Sequence, residues 1–180
     1  MDRETEWIRW IPSKANVHLW RVQRNRLATL DNLAKRGVGV QSLDCQLCYS
    51  GEETLDHLLA SCSTVRLVTT FMATWLEWWP ANEVSAQGIW SSLCRGDGGA
   101  DRSKEVKTVI GAAFLWTLWN VRNNKVFNGV ILKEKIYEKI RFLAFDRYRS
   151  RWRFGNCLSW ELWSCNPVMA VDLCTSLASR

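Results

Sequence analysis

Four residues of the kind that bind soft metal ions fall within eighteen positions of this chain. They are Cys45, Cys48, His57 and Cys62, in the stretch CQLCYSGEETLDHLLASC. Two residues separate the first pair, eight lie between Cys48 and His57, and four between His57 and Cys62. A Cys-x-x-Cys turn brings two thiolates to one ion from a tight knuckle, and the His and the last Cys close a tetrahedron around it. Soft thiolates with one imidazole favour Zn²⁺ over hard, oxygen-seeking cations. With four protein ligands no position is left for substrate or activated water, so the expected role of the single zinc is structural. The competing reading, small buried cysteines and a satisfied core histidine, leaves four ligand-type residues at compatible spacing unexplained. Glu52, Glu53 and Asp56 lie close by and are expected to be surface or capping charges rather than ligands.

Other chemistry is harder to place. No adjacent Asp-Asp pair occurs in the chain, so the paired carboxylates that hold two metal ions for nucleotidyl transfer are absent from it. RGDGGADRS, residues 95–103, clusters glycine and charge but lacks the GxxxxGK[ST] pattern of a phosphate-binding loop. A Cys/His nucleophile pair would need His18 or His57. The first is expected on a polar helix face and the second on zinc. The reading is a non-catalytic module with no small-molecule substrate.

The elements that must carry these residues read as helices. After Pro12, a helix from Ser13 to about Arg26 places Ala15, Leu19 and Val22 on one side and Lys14, His18 and Arg21 on another. Thr29 is positioned to cap Leu30–Arg36, which Gly37 ends. Thr54 is positioned to cap the short helix that presents His57. Ser63 reads as the cap of a helix carrying Val65, Val68, Met72, Trp75, Leu76 and Trp79 to a stop at Pro80. Residues 95–103 are the best linker, and two further helices follow, Lys104 to about Phe127 and Leu132 to Phe154. Nothing reads as a strand. The expected fold is mostly α: a small helical zinc-binding domain with a Cys-Cys-His-Cys knuckle over 1–80, a connection over 81–103, and a helical, basic and aromatic segment over 104–180.

The 180 residues carry a net charge of +6 and 47% hydrophobic residues, enough apolar content for a real core. The longest apolar run, VIGAAFLWTLW from Val109 to Trp119, is too short to span a bilayer, so no membrane association is expected. The N-terminus has no signal-like apolar region, and seven cysteines at uneven spacing do not resemble a disulfide framework. The expected setting is intracellular and reducing. Cys94, Cys157, Cys165 and Cys174 are left to packing or exposed thiols.

The positive charge is local: residues 133–153 hold eight Lys/Arg against three Asp/Glu. Two candidate patches for a nucleic-acid backbone follow. Arg21, Arg24, Arg26, Lys35 and Arg36 lie near the knuckle. Arg147, Arg149, Arg151 and Arg153 alternate with Tyr148 and Trp152, a pattern suited to phosphate neutralisation with base stacking. The other class of function is a protein-docking module, since twelve tryptophans exceed what one core needs.

WIPSKANVHLWRVQRNRLATLDNLAKRGV, followed by CQLC, ETLDHLLASC and a tryptophan-rich helix, resembles the reverse-transcriptase zinc-binding domain of plant LINE-type, non-LTR retrotransposons. FLWTLWNVRNNKVFNG, residues 114–129, resembles the Trp-x-x-Arg-Asn stretch that commonly follows it. Where that family often has a bulky aromatic after its His-Leu pair, this chain has Leu59 and Ala60. The resemblance implies the accessory part of a retroelement polyprotein. Cys45, Cys48, His57 and Cys62 would bind Zn²⁺, nucleic acid (RNA or DNA) and the polymerase domain would be its partners, and its location would be nuclear.

Overall fold

The computed structural model describes residues 7–94, 101–129 and 135–178. Its helices are α1 (Ser13–Gln23), α2 (Leu30–Lys35), α3 (Ser63–Trp75), α4 (Ala86–Cys94), α5 (Asp101–Asn128), α6 (Ile136–Arg151), α7 (Trp160–Cys165) and α8 (Pro167–Ala178). A π turn spans His57–Ser61 and a 3-10 turn Gly155–Cys157. No strand forms among the described residues; the one extended pairing is an antiparallel bridge between Asp44 and Glu52.

The centre of the fold is α5. Val106, Val109, Ile110, Ala112, Ala113, Phe114, Leu115 and Leu118 are all buried along it, because a helix apolar around its whole middle has to be covered on every side. It packs on α1, α4, α6, α8 and the π turn. Gly111 permits the close approach of α4: a Cβ there would meet the Leu93 side chain. One cluster of buried apolar side chains runs from Ile11 to Cys174.

Several boundaries differ from the sequence reading. The first helix stops at Gln23, and the chain turns through Asn25 at φ 48°. The third stops at Trp75, five residues before Pro80, although Leu76 and Trp79 remain buried in the turn that follows. Its N-cap position is held by Cys62, with Ser63 already helical. Residues 101–103 of the expected linker belong to α5, and the rest of it, 95–100, lies outside the described residues. The expected start at Leu132 also lies outside them; α6 begins at Ile136 and ends at Arg151. Beyond it, Ser159 caps α7 by accepting from the Leu162 amide, and Trp163, Ala170, Val171 and Cys174 bury the tail into the core.

His18 is the clearest correction. The residue expected on a polar face is 4% exposed, its Nε2 3.3 Å from the Leu115 carbonyl and its ring edge-on to Trp116 at 5.3 Å. Burial lowers its pKa from 6.5 to about 4, against the opposing pull of the Leu115 carbonyl and with help from Arg21. Sequence periodicity placed it on the polar side of α1 with Lys14 and Arg21, and packing of α5 covers it there.

Candidate metal centre

The site is assembled from backbone turns before any metal is considered. The Cys45 amide donates to the Gly51 carbonyl at 2.9 Å and the Tyr49 amide to the Cys45 carbonyl at 2.8 Å, folding residues 45–51 into a closed knuckle. The fold requires left-handed backbone at Tyr49 (φ 57°) and Gly51 (φ 89°), the second against the His57 ring. Thr54 then caps as expected, its hydroxyl accepting from the His57 amide at 3.1 Å. The π turn widens the helix at His57–Ser61, and the Cys62 amide bonds back to the His57 carbonyl at 2.7 Å. This extra residue per turn brings His57 and Cys62 to one side.

The four side chains converge. Their ligand atoms all lie within 4.8 Å of one another. Cys45 Sγ and Cys62 Sγ are 3.9 Å apart, and Cys48 Sγ and His57 Nε2 are 3.3 Å apart. A tetrahedral zinc with Zn–S near 2.3 Å implies edges of roughly 3.8 Å between sulfurs, slightly less to nitrogen. The donor set therefore fits one zinc ion in both chemistry and size. Cys45 and Cys62 are fully buried, with Cys48 and His57 half-buried.

The surroundings favour a thiolate at Cys62. Cys62 sits at the N-terminus of α3, and its thiol is drawn down first by the bond from Cys45, then by the Thr64 and Val65 amides, against the cost of burial. The donor, Cys45, is pushed up by that same bond and by burial, while the Leu47 and Cys48 amides pull the other way. The Ser50 amide points at Cys48 Sγ at 3.4 Å. At Cys62, the backbone N–H groups aimed at sulfur favour the deprotonated ligand that zinc requires.

Glu53, expected to be a surface or capping charge, is a cap. It caps from the interior, with 0% of its side chain exposed. Its Oε1 accepts from the Leu30 amide at 3.1 Å, so it supplies the N-terminal cap of α2. Thr29, which occupies the cap position, instead donates its hydroxyl to Asp31. The other oxygen of Glu53 accepts from the Gln46 amide, inside the Cys-x-x-Cys turn, at 3.2 Å. Opposite stands Arg122, with 5% of its side chain exposed, donating to Oε1 from Nη2 at 2.6 Å and from Nε at 3.1 Å. Asn123 Oδ1 holds the guanidinium at 3.2 Å, and Trp119 lies under it at 5.3 Å. The Trp-x-x-Arg-Asn stretch thus ties α5 to the knuckle. No pattern of spacing joins positions 53 and 122, so only the fold reveals the pair. Asp56 also caps, accepting from the Ala86 amide of α4 at 2.9 Å.

The basic residues separate into groups. Arg21, Arg24, Arg26, Lys35 and Arg36 are all exposed on α1, α2 and the turn between them. Arg26 lies over the exposed Trp20 ring at 5.6 Å, Arg36 donates to the Arg26 carbonyl at 3.2 Å, and Lys35 pairs with Asp31 at 3.0 Å. On α6, Arg147 and Arg151 face α1 and α5. Arg149 instead donates to the Gly155 carbonyl at 3.3 Å, and Arg153 lies over Phe154 at 4.4 Å. A helix places residues two apart on different faces, which divides Arg149 from Arg147 and Arg151, and Arg153 lies beyond the end of α6. The aromatics between them do not stack outward as expected: Tyr148 and Trp152 are buried, and burial with the nearby Glu105 raises the Tyr148 pKa. Of the remaining thiols, Cys174 is buried and donates to the Cys157 carbonyl at 3.0 Å, whereas Cys157 and Cys165 are exposed.

Residues 2–68 match the family model for zinc-binding in reverse transcriptase, a span that contains all four ligand-type residues. No curated protein and no solved structure matches the chain. No helix among the described residues is long and apolar enough to cross a membrane.

Proposed function

We propose, from the premise that residues 2–68 belong to the family of zinc-binding segments in reverse transcriptases, that this chain is an accessory module contacting nucleic acid for a polymerase. Cys45, Cys48, His57 and Cys62 hold one zinc, which supplies cross-linking energy rather than reactivity because all four positions are protein. Such a site is worth on the order of 10–16 kcal/mol in finger peptides near neutral pH, comparable with the stability of a whole domain. The chain does no chemistry of its own. Its part is to present cations to a phosphate backbone, and its setting is nuclear.

The observation that carries this reading is the exposed group on α1 and α2. Arg21, Arg24, Arg26 and Arg36 are all exposed, Arg26 lies over the exposed Trp20 ring at 5.6 Å, and α2 is anchored to the knuckle through Glu53. Guanidinium groups beside an open indole suit backbone neutralisation with stacking on unpaired bases. The test is fluorescence anisotropy of the zinc-loaded protein with labelled RNA, single-stranded DNA and duplex across a salt series. Binding that weakens steeply with salt, and is lost when Arg21, Arg24 and Arg36 become glutamine, is the expected result. Retention of binding in that variant sinks the reading.

A second reading has its own observation. Met169, Leu173 and Leu177 recur at four-residue spacing along α8 and are all exposed. An apolar stripe of this kind suits docking against a protein surface such as the polymerase domain. Association through it would be insensitive to salt.

A further inference from the structure

The two groups of cations that the sequence placed more than a hundred residues apart are joined by α1. Lys14 and Arg21 stand seven residues apart, two helical turns, and so share a face of α1 with Arg24 one turn further. From Lys14 to Arg24 this row extends about 15 Å at 1.5 Å per residue. At its Lys14 end lies a cleft between α1, α5 and α6, of about 400 Å³. Ala15, Ala112 and Trp116 contribute to its apolar floor, and Lys14, Arg147 and Arg151 are its cations. No acidic residue is among the described residues that line it. Arg147 has Asp146 as a loose neighbour at 3.9 Å, and Arg151 is exposed.

We propose that this cleft receives an unpaired base of a single nucleic-acid strand, with Lys14, Arg147 and Arg151 on the flanking phosphates and Trp116 against the ring. The volume falls within the roughly 300–1,000 Å³ of ligand clefts. An uncharged floor under a cationic rim complements a flat ring carried on an anionic chain, and it disfavours an acidic peptide, whose charges would meet the alanines. Trp116 is half-buried and held edge-on by His18 at 89°, so its ring is set before any ligand arrives. The row Arg24, Arg21, Lys14 then leads the same strand from the α1–α2 group into the cleft. The proposal rests on the nucleic-acid reading above and assigns that reading a specific subsite and a single-stranded ligand.

The experiment uses the zinc-loaded full chain with fluorescein-labelled dT12, rU12, a dT12 analogue in which every base is replaced by an abasic sugar, and a 12-base-pair duplex. Wild type should bind both single strands, the abasic strand about tenfold or more weakly, since each stacked base is worth a five- to 150-fold change. Replacing Lys14, Arg147 and Arg151 together by glutamine should lower the logarithmic salt slope by about 2, at roughly 0.7 per lost single-strand phosphate contact. Lys14 and Arg151 are exposed and Arg147 is half-buried, and a thermal melt verifies the fold of the variant. Trp116→Ala should narrow the difference between dT12 and the abasic strand by about fivefold or more, the worth of one stacked base. Should that variant not fold, photocrosslinking of a 5-iodouracil dT12 analogue to wild type replaces it, with adducts expected on the tryptic peptide containing Trp116.

The outcomes separate the two claims. If wild type binds none of the probes, the nucleic-acid reading falls and the cleft assignment with it. If wild type binds but the triple variant keeps its slope, the abasic strand binds equally well, or crosslinks map away from Trp116, the function stands and the cleft assignment is overturned. Preference for duplex, or displacement of dT12 by polyglutamate as readily as by unlabelled dT12, also overturns it.

Discussion

Replacing Arg122 by methionine isolates the contact that ties α5 to the knuckle. The Glu53 carboxylate has no exposed surface and accepts four hydrogen bonds, two from Arg122 and one each from the Leu30 and Gln46 amides. Arg122→Met removes two of the four and the only countercharge among the described contacts of Glu53. Bonds to a charged group contribute about 1.5–3 kcal/mol each, which gives about 3–6 kcal/mol for the pair. Breaking a buried ion pair from one side costs about 3–5 kcal/mol, in agreement. Glu53→Gln should cost a similar amount, because it strands the guanidinium and turns an amide donor toward the Gln46 N–H. The double variant should cost about 2–3 kcal/mol less than the sum of the singles, since neither side is then left charged and alone. Urea unfolding followed by far-UV circular dichroism, at a fixed free zinc concentration, measures all three. A loss below about 1 kcal/mol in Arg122→Met, with additive singles, is what an exposed pair would give and would refute the reasoning. A second readout is zinc affinity under a competing chelator. It should fall in both single variants, because Glu53 holds the Gln46 amide inside the metal loop.

Other outcomes follow from the same structure. Cys62→Ser should abolish stoichiometric zinc, measured by elemental analysis, and lower helicity, whereas wild type should carry one zinc per chain and lose helix when chelator is added. His18 is neutral in the fold down to about pH 4 but takes a proton near pH 6.5 when unfolded, so its contribution to stability is complete above pH 6.5. That contribution should fall by ~3 kcal/mol as pH drops from 6.5 to 4. The difference in unfolding free energy between wild type and His18→Leu over that range isolates it from acid release of zinc; a pH-independent difference would contradict the burial. Gly155→Ala should cost about 1–3 kcal/mol in a thermal or urea melt, because its Cβ would overlap the Arg149 carbonyl oxygen, which is backbone and has little room to yield.

The metal centre was legible in the sequence because its information is local. Four ligand-type residues inside eighteen positions must meet if the chain turns tightly, and Thr54, Gly51 and the Cys-x-x-Cys spacing supply those turns over short stretches of chain. The helical character of the chain was legible for the same reason, since periodicity and caps act over a turn or two. Even there, ends were misplaced where tertiary contacts outweigh a local signal. α3 stops at Trp75 with Leu76 and Trp79 buried in the turn that follows, and Glu53 rather than Thr29 satisfies the first amide of α2.

What only the tertiary structure decided is what depends on pairs distant in sequence. Glu53 reads as a surface or capping charge until Arg122, 69 positions away, comes to face it in the interior. His18 reads as polar until Leu115 and Trp116 cover it. Arg147 and Arg149 read as members of one patch until α6 docks on α5, sending the first to the cleft beside Lys14 and the second to the Gly155 carbonyl. Composition and spacing state which groups are available. Whether a charge meets water, a countercharge or a ring is settled by which helix faces close over one another, and that is a property of the packed core around α5.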